Sequence, residues 1–269
     1  MNESRKKIGL ALSGGGALGI AHIGVLKQLE KNNITPDLIC GTSAGAIIGL
    51  LYAIGGTEKI ESFVAYLDGA GVFTKKFIFP GGLFKTVRTA LEKYLGVTNF
   101  NETKIPFTCT ATNIQTGELV VLKEGNVVDA VMASAAYPGV FSTQTINDMS
   151  LVDGGVIKVF PASIVKDQGA DFVIGSSLHN LKNFEPSGVF GFSQLTTMSR
   201  AIDIMQLKIA EIDLAQCDFC FTPEVNGFHW YQFDQMELIA SIGEKHASQK
   251  IGLLIDKLKN SKINIPNNF

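Results

Sequence analysis

Ile8-Gly9-Leu10-Ala11-Leu12-Ser13-Gly14-Gly15-Gly16-Ala17-Leu18-Gly19 runs from an apolar stretch straight into glycine. Leu38-Ile39-Cys40-Gly41-Thr42-Ser43-Ala44-Gly45 does the same further on. Each reads as a short buried strand, a tight turn and then a helix. The first helix is predicted from about Ala17 to Lys31. Ile20, Ile23, Leu26 and Leu29 share one face, with Lys27, Glu30 and Lys31 opposite. The second is predicted from Ser43 to Ile54, ended by Gly55-Gly56. Strand–helix–strand–helix order implies a parallel sheet with right-handed crossovers.

Working outward, Glu58–Leu67 and Thr86–Leu95 read as helices. Pro106–Thr112 and Leu119–Leu122 read as strands about a turn at Gln115-Thr116-Gly117. Asn126 can cap a helix over Val127–Ala135. Met149–Val152 and Phe172–Ser176 read as strands. Leu195, Met198, Ile202, Met205, Ile209 and Ile212 are spaced alternately three and four apart. That is a coiled-coil seam on paper; a long helix laid on a sheet is preferred. A strand at Phe219–Thr222 and a helix over about Gln235–Lys259 follow. With no repeat or linker, one domain over residues 1–269 is expected, with its motif core at about 8–178 and a helical part at about 193–260.

Composition removes several functions. The chain has 269 residues, 46% apolar and 18% charged, which excludes disorder as the main state. A net charge of −2, with no basic run beyond Arg5-Lys6-Lys7, argues against nucleic acid as a partner. Cys40 and Cys109 sit in apolar segments, and Cys217 and Cys220 form a lone C-x-x-C with no second ligand pair. No metal or cofactor is expected, and free cysteines fit a cytoplasmic location. Ile8–Leu26 and Leu38–Thr57 carry no formal charge and are long enough to span a bilayer. The glycine and serine clusters inside them argue for strand–turn–helix instead.

Three loops can carry chemistry. Gly14-Gly15-Gly16-Ala17-Leu18-Gly19 leaves backbone N–H groups open at a helix start, which favours an anion. The same residues satisfy G-x-G-x-x-G, but the second strand ends Leu38-Ile39-Cys40-Gly41 without the carboxylate that a dinucleotide site requires. Gly41-Thr42-Ser43-Ala44-Gly45 is a G-x-S-x-G between strand and helix. It reads either as a strained turn exposing the serine Oγ or as a helix capped by Ser43. Asp153-Gly154-Gly155 ends a third strand. If its loop meets the other two at one sheet edge, the set supplies a nucleophile, a carboxylate and oxyanion donors. Of the histidines, His22 is expected to pack in the shoulder of the first helix and His246 to lie at the surface. His179 and His229 lack a motif. A carboxylate can take the proton directly if it is held against the serine.

These loops, together with Ala133-Ser134-Ala135-Ala136-Tyr137-Pro138-Gly139-Val140-Phe141, resemble the patatin-like phospholipases. The bacterial branch related to the catalytic domain of neuropathy target esterase is the most similar. The resemblance covers about Ile8 to Leu178. It implies an α/β/α three-layer sandwich with a mostly parallel sheet, and a serine acyl hydrolase acting on lipid esters. It implies Ser43 as nucleophile, Asp153 as its partner in a Ser–Asp dyad, and Gly14, Gly15 and Gly16 at the oxyanion hole; the Ala44 N–H is expected to join them. The alternative is a catalytically silent lipid-binding or regulatory protein of the same fold. Two departures stand out: Leu18 where the family often has a basic residue, and Lys158-Val159 where many members read Asn-Pro. Phe77 and Phe79 lie in the phenylalanine-rich segment Phe73–Phe84, and a second cluster holds Phe184, Phe190 and Phe192. Core burial is the plainer reading of both; Pro80-Gly81-Gly82 and the lack of helix periodicity suit a flap at Phe73–Phe84, through which Phe77 and Phe79 would meet substrate, with peripheral membrane contact.

Overall fold

A computed structural model of the chain describes residues 5–69, 71, 80–179, 194–225, 227–230 and 232–263. Its centre is an eight-stranded sheet. The strands are β1 (Ile8–Leu12), β2 (Leu38–Thr42), β3 (Phe107–Asn113), β4 (Leu119–Leu122), β5 (Gln144–Ile146), β6 (Met149–Asp153), β7 (Phe172–Ser176) and β8 (Phe219–Phe221). The order is β5-β6-β3-β2-β1-β7-β8, with β4 paired to β3. From β3 through β8 the main path is parallel, whereas β4, β5 and β6 pair antiparallel.

The helices are α1 (Ala21–Lys31), α2 (Ala44–Gly69), α3 (Pro80–Tyr94), α4 (Val127–Ser134), α5 (Ala162–Asp167), α6 (Gln194–Leu214) and α7 (Met236–Asn260). Side chains alternate across a strand, and β1 divides its residues accordingly. Leu10 and Leu12 join Ile39 and Ile174 in a core covered by α1, α2, α4 and α7. Ala11 joins Leu38, Cys40 and Val173 on the other face, under Ala162 and Val165 of α5 and Ala210 of α6. These are the two helical layers of the expected sandwich.

Local sequence explains most boundaries. Asn126 caps α4 by accepting from the N–H groups of Val128 and Asp129. The helical run in α2 is interrupted at Gly55 and Gly56, and Gly56 sits at φ 68°. The helix predicted from Ala17 begins instead as a 3-10 turn over Gly16–Ile20. Gly16, at φ 57°, sets that tighter entry.

The flap reading put residues through Phe84 in a non-helical segment, yet α3 begins at Pro80. Proline suits a first helical position, where its missing N–H has no helical partner to lose. Leu83, Phe84 and Val87 then pack against the core on one helical face. Phe73, Phe77 and Phe79 lie outside the described residues, as do Phe184, Phe190 and Phe192. α6 lies on the sheet as a long helix, and its 3–4 seam is divided: Ile209 packs on the second core and Ile202 is half-buried. Met198, Met205 and Ile212 are 46%, 58% and 69% exposed, while Gln206, Leu207, Ala210 and Asp213 are buried.

Candidate active site

The register of β3 brings the two candidate loops together. β2 pairs with its first part, ending Thr42 against Thr110. β6 runs the opposite way and pairs with its last part, ending Asp153 against Ala111. Because β4 occupies the other edge of β3, β2 and β6 share one edge and meet end to end. Ser43 follows one of those ends and Asp153 closes the other. The aspartate therefore arrives on an antiparallel strand, not on a further parallel βα unit.

Ser43 has φ 55°, in the left-handed region. A helix N-cap uses extended dihedrals, so the capping reading is set aside. The helix starts one residue later, at Ala44. A non-glycine residue held this way costs of order 1–3 kcal/mol and persists where its surroundings over-determine it. Here the Ser43 N–H donates to the buried Ser134 Oγ at 2.9 Å. Its carbonyl accepts from the N–H groups of Ala46 and Ile47. A Cβ on Gly45 would run into the carbonyl oxygens of Leu12 and Ser13, and one on Gly41 into that of Gly45. Both flanking glycines are thus required by close backbone approach.

Asp153 is 1% exposed. Its Oδ1 accepts from the Gly155 N–H at 2.7 Å. Its Oδ2 is buried with no hydrogen-bond partner. Burial pushes the carboxyl up to about 6, with the neighbouring Ser43 hydroxyl and the Gly155 N–H pulling the other way. Hydroxyl and carboxylate are close enough to feel each other but form no full hydrogen bond. Such pairs often tighten only with substrate bound.

The glycine loop divides its donors. The Gly14 N–H is committed to the Val159 carbonyl at 2.9 Å, which removes it from the expected set of oxyanion donors. The N–H groups of Gly15 and Gly16 have no hydrogen-bond partner among the described residues, nor does that of Ala44 at the helix start. Gly15 and Gly16 have φ 151° and 57°.

These residues line a cavity of about 690 Å³. Its apolar lining includes Ile47, Leu51, Val64, Leu83, Phe84 and Phe141. Phe84 and Phe141 stack with ring centroids 4.6 Å apart. Its polar lining includes His179, Arg200, Asp203, Gln206, His229 and Asp234. Burial raises the Asp203 carboxyl, against the pull of Arg200 and His229.

No histidine is paired with Ser43. His22 is fully buried, its Nε2 donating to the Ser13 carbonyl at 2.9 Å and its Nδ1 accepting from Ser176 Oγ at 2.8 Å. Burial lowers its pKa to about 4, so it is a neutral tie between β7 and the glycine loop. His179 is likewise lowered to about 4 by burial, and its Nδ1 has no partner. His246, expected at the surface, is half-buried: its Nε2 accepts the Thr222 N–H at 3.0 Å, tying α7 to the end of β8. Among the described residues no cluster of three His, Cys, Asp or Glu could hold a metal ion.

A family model described as patatin-like phospholipase matches residues 10–166. The chain belongs to the patatin-like phospholipase family. An uncharacterised NTE family protein of Mycobacterium bovis is 29% identical over 181 residues, covering 66% of this chain and 50% of that protein. The lysophospholipase NTE1 of Coccidioides immitis is 30% identical over 191 residues, covering 68% of this chain and 12% of that protein. The match thus spans half or less of these relatives. Among solved structures, VipD from Legionella pneumophila superposes with a TM-score of 0.55 at 12% identity, covering 93% of this patatin-like chain and 67% of that one. That likeness concerns the fold.

Three contributors had no sequence reading. Ser134 stood in a quoted motif without a role; a small hydroxyl between alanines was its only signal. Gln206 and Asp213 lie in a helix that is about half polar, so nothing beside the 3–4 spacing singled them out.

Proposed function

We propose that this patatin-like protein is a serine acyl hydrolase acting on carboxylic esters of lipids. The observation that carries the proposal is a left-handed Ser43 lining the same cavity as a buried Asp153, whose Oδ2 has no hydrogen-bond partner among the described residues. In the reaction, Ser43 Oγ attacks the acyl carbon and its proton passes to Asp153 Oδ2. The N–H groups of Gly15, Gly16 and Ala44 are the candidates to hold the tetrahedral oxyanion, aided by the N-terminus of α2. Collapse expels the alcohol, which takes the proton from Asp153. Water then attacks the acyl-enzyme, gives a proton to the same carboxylate and releases the acid as Ser43 is reprotonated. A carboxyl poised near 6 is a better base at neutral pH than an exposed aspartate.

The mixed lining of the cavity supports a lipid substrate. The apolar residues of α2 and α3 suit an acyl chain, and the polar residues, Arg200 among them, suit a head group. Arg200 supplies there the cation that Leu18 does not supply in the glycine loop. Among the described residues no helix is long and apolar enough to cross a membrane. Contact with a lipid surface would then be peripheral, and Phe77 and Phe79 remain candidates for it. The test is fluorophosphonate labelling, with turnover of an acyl-ester panel by wild type and Ser43→Ala. Labelling and turnover that vanish in the variant support the reading. A wild type inert to the probe and to every ester would favour a silent lipid-binding protein.

A further inference from the structure

Lys158-Val159 follow the Asp153 loop, and the structure gives Lys158 a use. Residues 154–159 form a short strap behind the candidate site. The Lys158 carbonyl accepts from Thr42 Oγ1 at 2.9 Å, next to Ser43. The Val159 carbonyl accepts from the Gly14 N–H at 2.9 Å, next to Gly15. The strap itself begins at Asp153 and is closed by the Lys158 N–H on the Gly154 carbonyl at 2.7 Å. A Cβ on Gly154 would run into the Thr110 carbonyl, so the strap sits hard against β3. One six-residue segment therefore touches all three loops of the proposed reaction.

What holds the strap is α6. Lys158 Nζ donates to Asp213 Oδ2 at 2.8 Å and to Ser163 Oγ at 3.2 Å. Asp213 is 1% exposed, and its Oδ1 accepts from the Ser163 N–H at 3.1 Å. Both carboxylate oxygens are thus used. One helical stretch earlier, Gln206 Nε2 donates to the Gly155 carbonyl at 3.2 Å. A buried ion pair adds little net stability over an apolar pair of similar size, because desolvation offsets its attraction. Its direction and length are what an apolar pair lacks.

We propose that Lys158 and Asp213 are positioning residues for acyl transfer, their ion pair clamping residues 154–159 to α6 and so setting Ser43, Asp153 and the Gly15–Gly16 donors in register. The proposal rests on the hydrolase reading above. It also gives Gln206 and Asp213 their reason to face inward. Displacements of about 1 Å at reacting groups can cost 10²-fold in rate.

The test replaces the pair by apolar residues of similar volume, Lys158→Met with Asp213→Leu, and measures a short soluble ester. The expected result is a wild-type circular dichroism spectrum and a kcat lower by about 10²-fold. KM should stay within about threefold, and the acidic limb of the pH profile should stay in place, because Asp153 remains the base. Lys158→Arg, which keeps donors for Asp213 and Ser163, should recover most of the rate. Wild-type kcat in the folded double variant would overturn the proposal, as would a loss confined to KM. Should the double variant not fold, Asp213→Asn decides. It keeps the volume and removes the charge, and an unchanged kcat in it overturns the clamp. A wild type that neither labels nor turns over ester defeats the hydrolase reading instead, so the two failures are distinguishable.

Discussion

The β1–α2 region and α6 both contribute walls to the same cavity, and they are built on different rules. In β1, β2 and their following helices, apolar residues face in and glycines stand where backbones touch. In α6 the buried face sets Gln206 and Asp213 among Leu207 and Ala210, and Met205 and Ile212 are exposed. The first region packs mainly by area, the second by area and by partners. An apolar side chain gains wherever water is excluded. A buried polar one requires a specific atom opposite it. Hence the first region can be read from pattern, and α6 only with its neighbours in view.

The largest effects belong to the first region. Ser43→Ala should lower turnover by about 10⁴-fold or more, since it removes the atom that becomes acylated. Circular dichroism and melting should show an intact fold, with relief of none of the backbone strain. Full turnover in that variant would break the comparison at its root, because the elbow would then be only a turn.

Asp153→Asn should cost a comparable factor in rate while stabilising the protein at high pH. The folded carboxyl titrates at about 6 against 3.8 for an ordinary aspartate. Between those values the folded state keeps a proton that the unfolded state has released, so stability falls as pH rises through the window. The deficit above pH 6 is roughly 3 kcal/mol at 1.36 kcal/mol per pKa unit. The asparagine variant should therefore melt higher than wild type at pH 8, and at the same temperature near pH 4. Neutral burial of His22 and His179 works in the opposite sense over about pH 4 to 6.5, but it is shared by both proteins and cancels in the difference. In wild type kcat/KM should fall below about pH 6 as the base becomes protonated. Equal melting at pH 8 would show that the carboxyl is not held against its ionised form.

Next in size is the glycine loop. Gly15→Ala puts a methyl at φ 151°, against the end of the Leu178 side chain at 2.9 Å. Loss of one oxyanion donor costs about 10² to 10³ in rate. The expected outcome is a kcat loss of that order with KM little changed. A change in KM alone would assign the loop to binding rather than to the transition state.

Legibility follows the same division. β1, β2, β4, β7 and the α4 cap could be read closely, since periodicity, glycine and Asn126 act locally. Ser43, Asp153, Gly15, Gly16 and Ala44 could be named as candidates from their loops. The head-on meeting of β2 and β6 could not, because it depends on which edge of β3 each strand takes. The loss of Gly14 as a donor could not either, since Val159 claims its N–H from far along the chain. Pro80-Gly81-Gly82 suggested a break where a helix in fact starts, because proline at a first position and proline in an interior look alike without the boundary.

The smallest effect tests α6 itself. If the 3–4 seam packed as its spacing suggests, a charge at Met205 or Ile212 would be buried, and the helix would come away from the sheet. In the structure these side chains are 58% and 69% exposed. Met205→Glu and Ile212→Glu should therefore change stability by no more than about 0.5 kcal/mol, the ordinary range for surface substitutions. Turnover of a short soluble ester should stay at the wild-type level. Leu207→Ala is the matched control on the inward face. Leu207 is 5% exposed and lines the cavity, so truncation should cost about 2–5 kcal/mol. Denaturant titration of the three variants compares the faces directly. A large loss at Met205 or Ile212, with little at Leu207, would mean that α6 sits rotated by half a turn. That rotation would also carry Gln206 and Asp213 away from Gly155 and Lys158, and the contrast between packing by area and packing by partners would go with them.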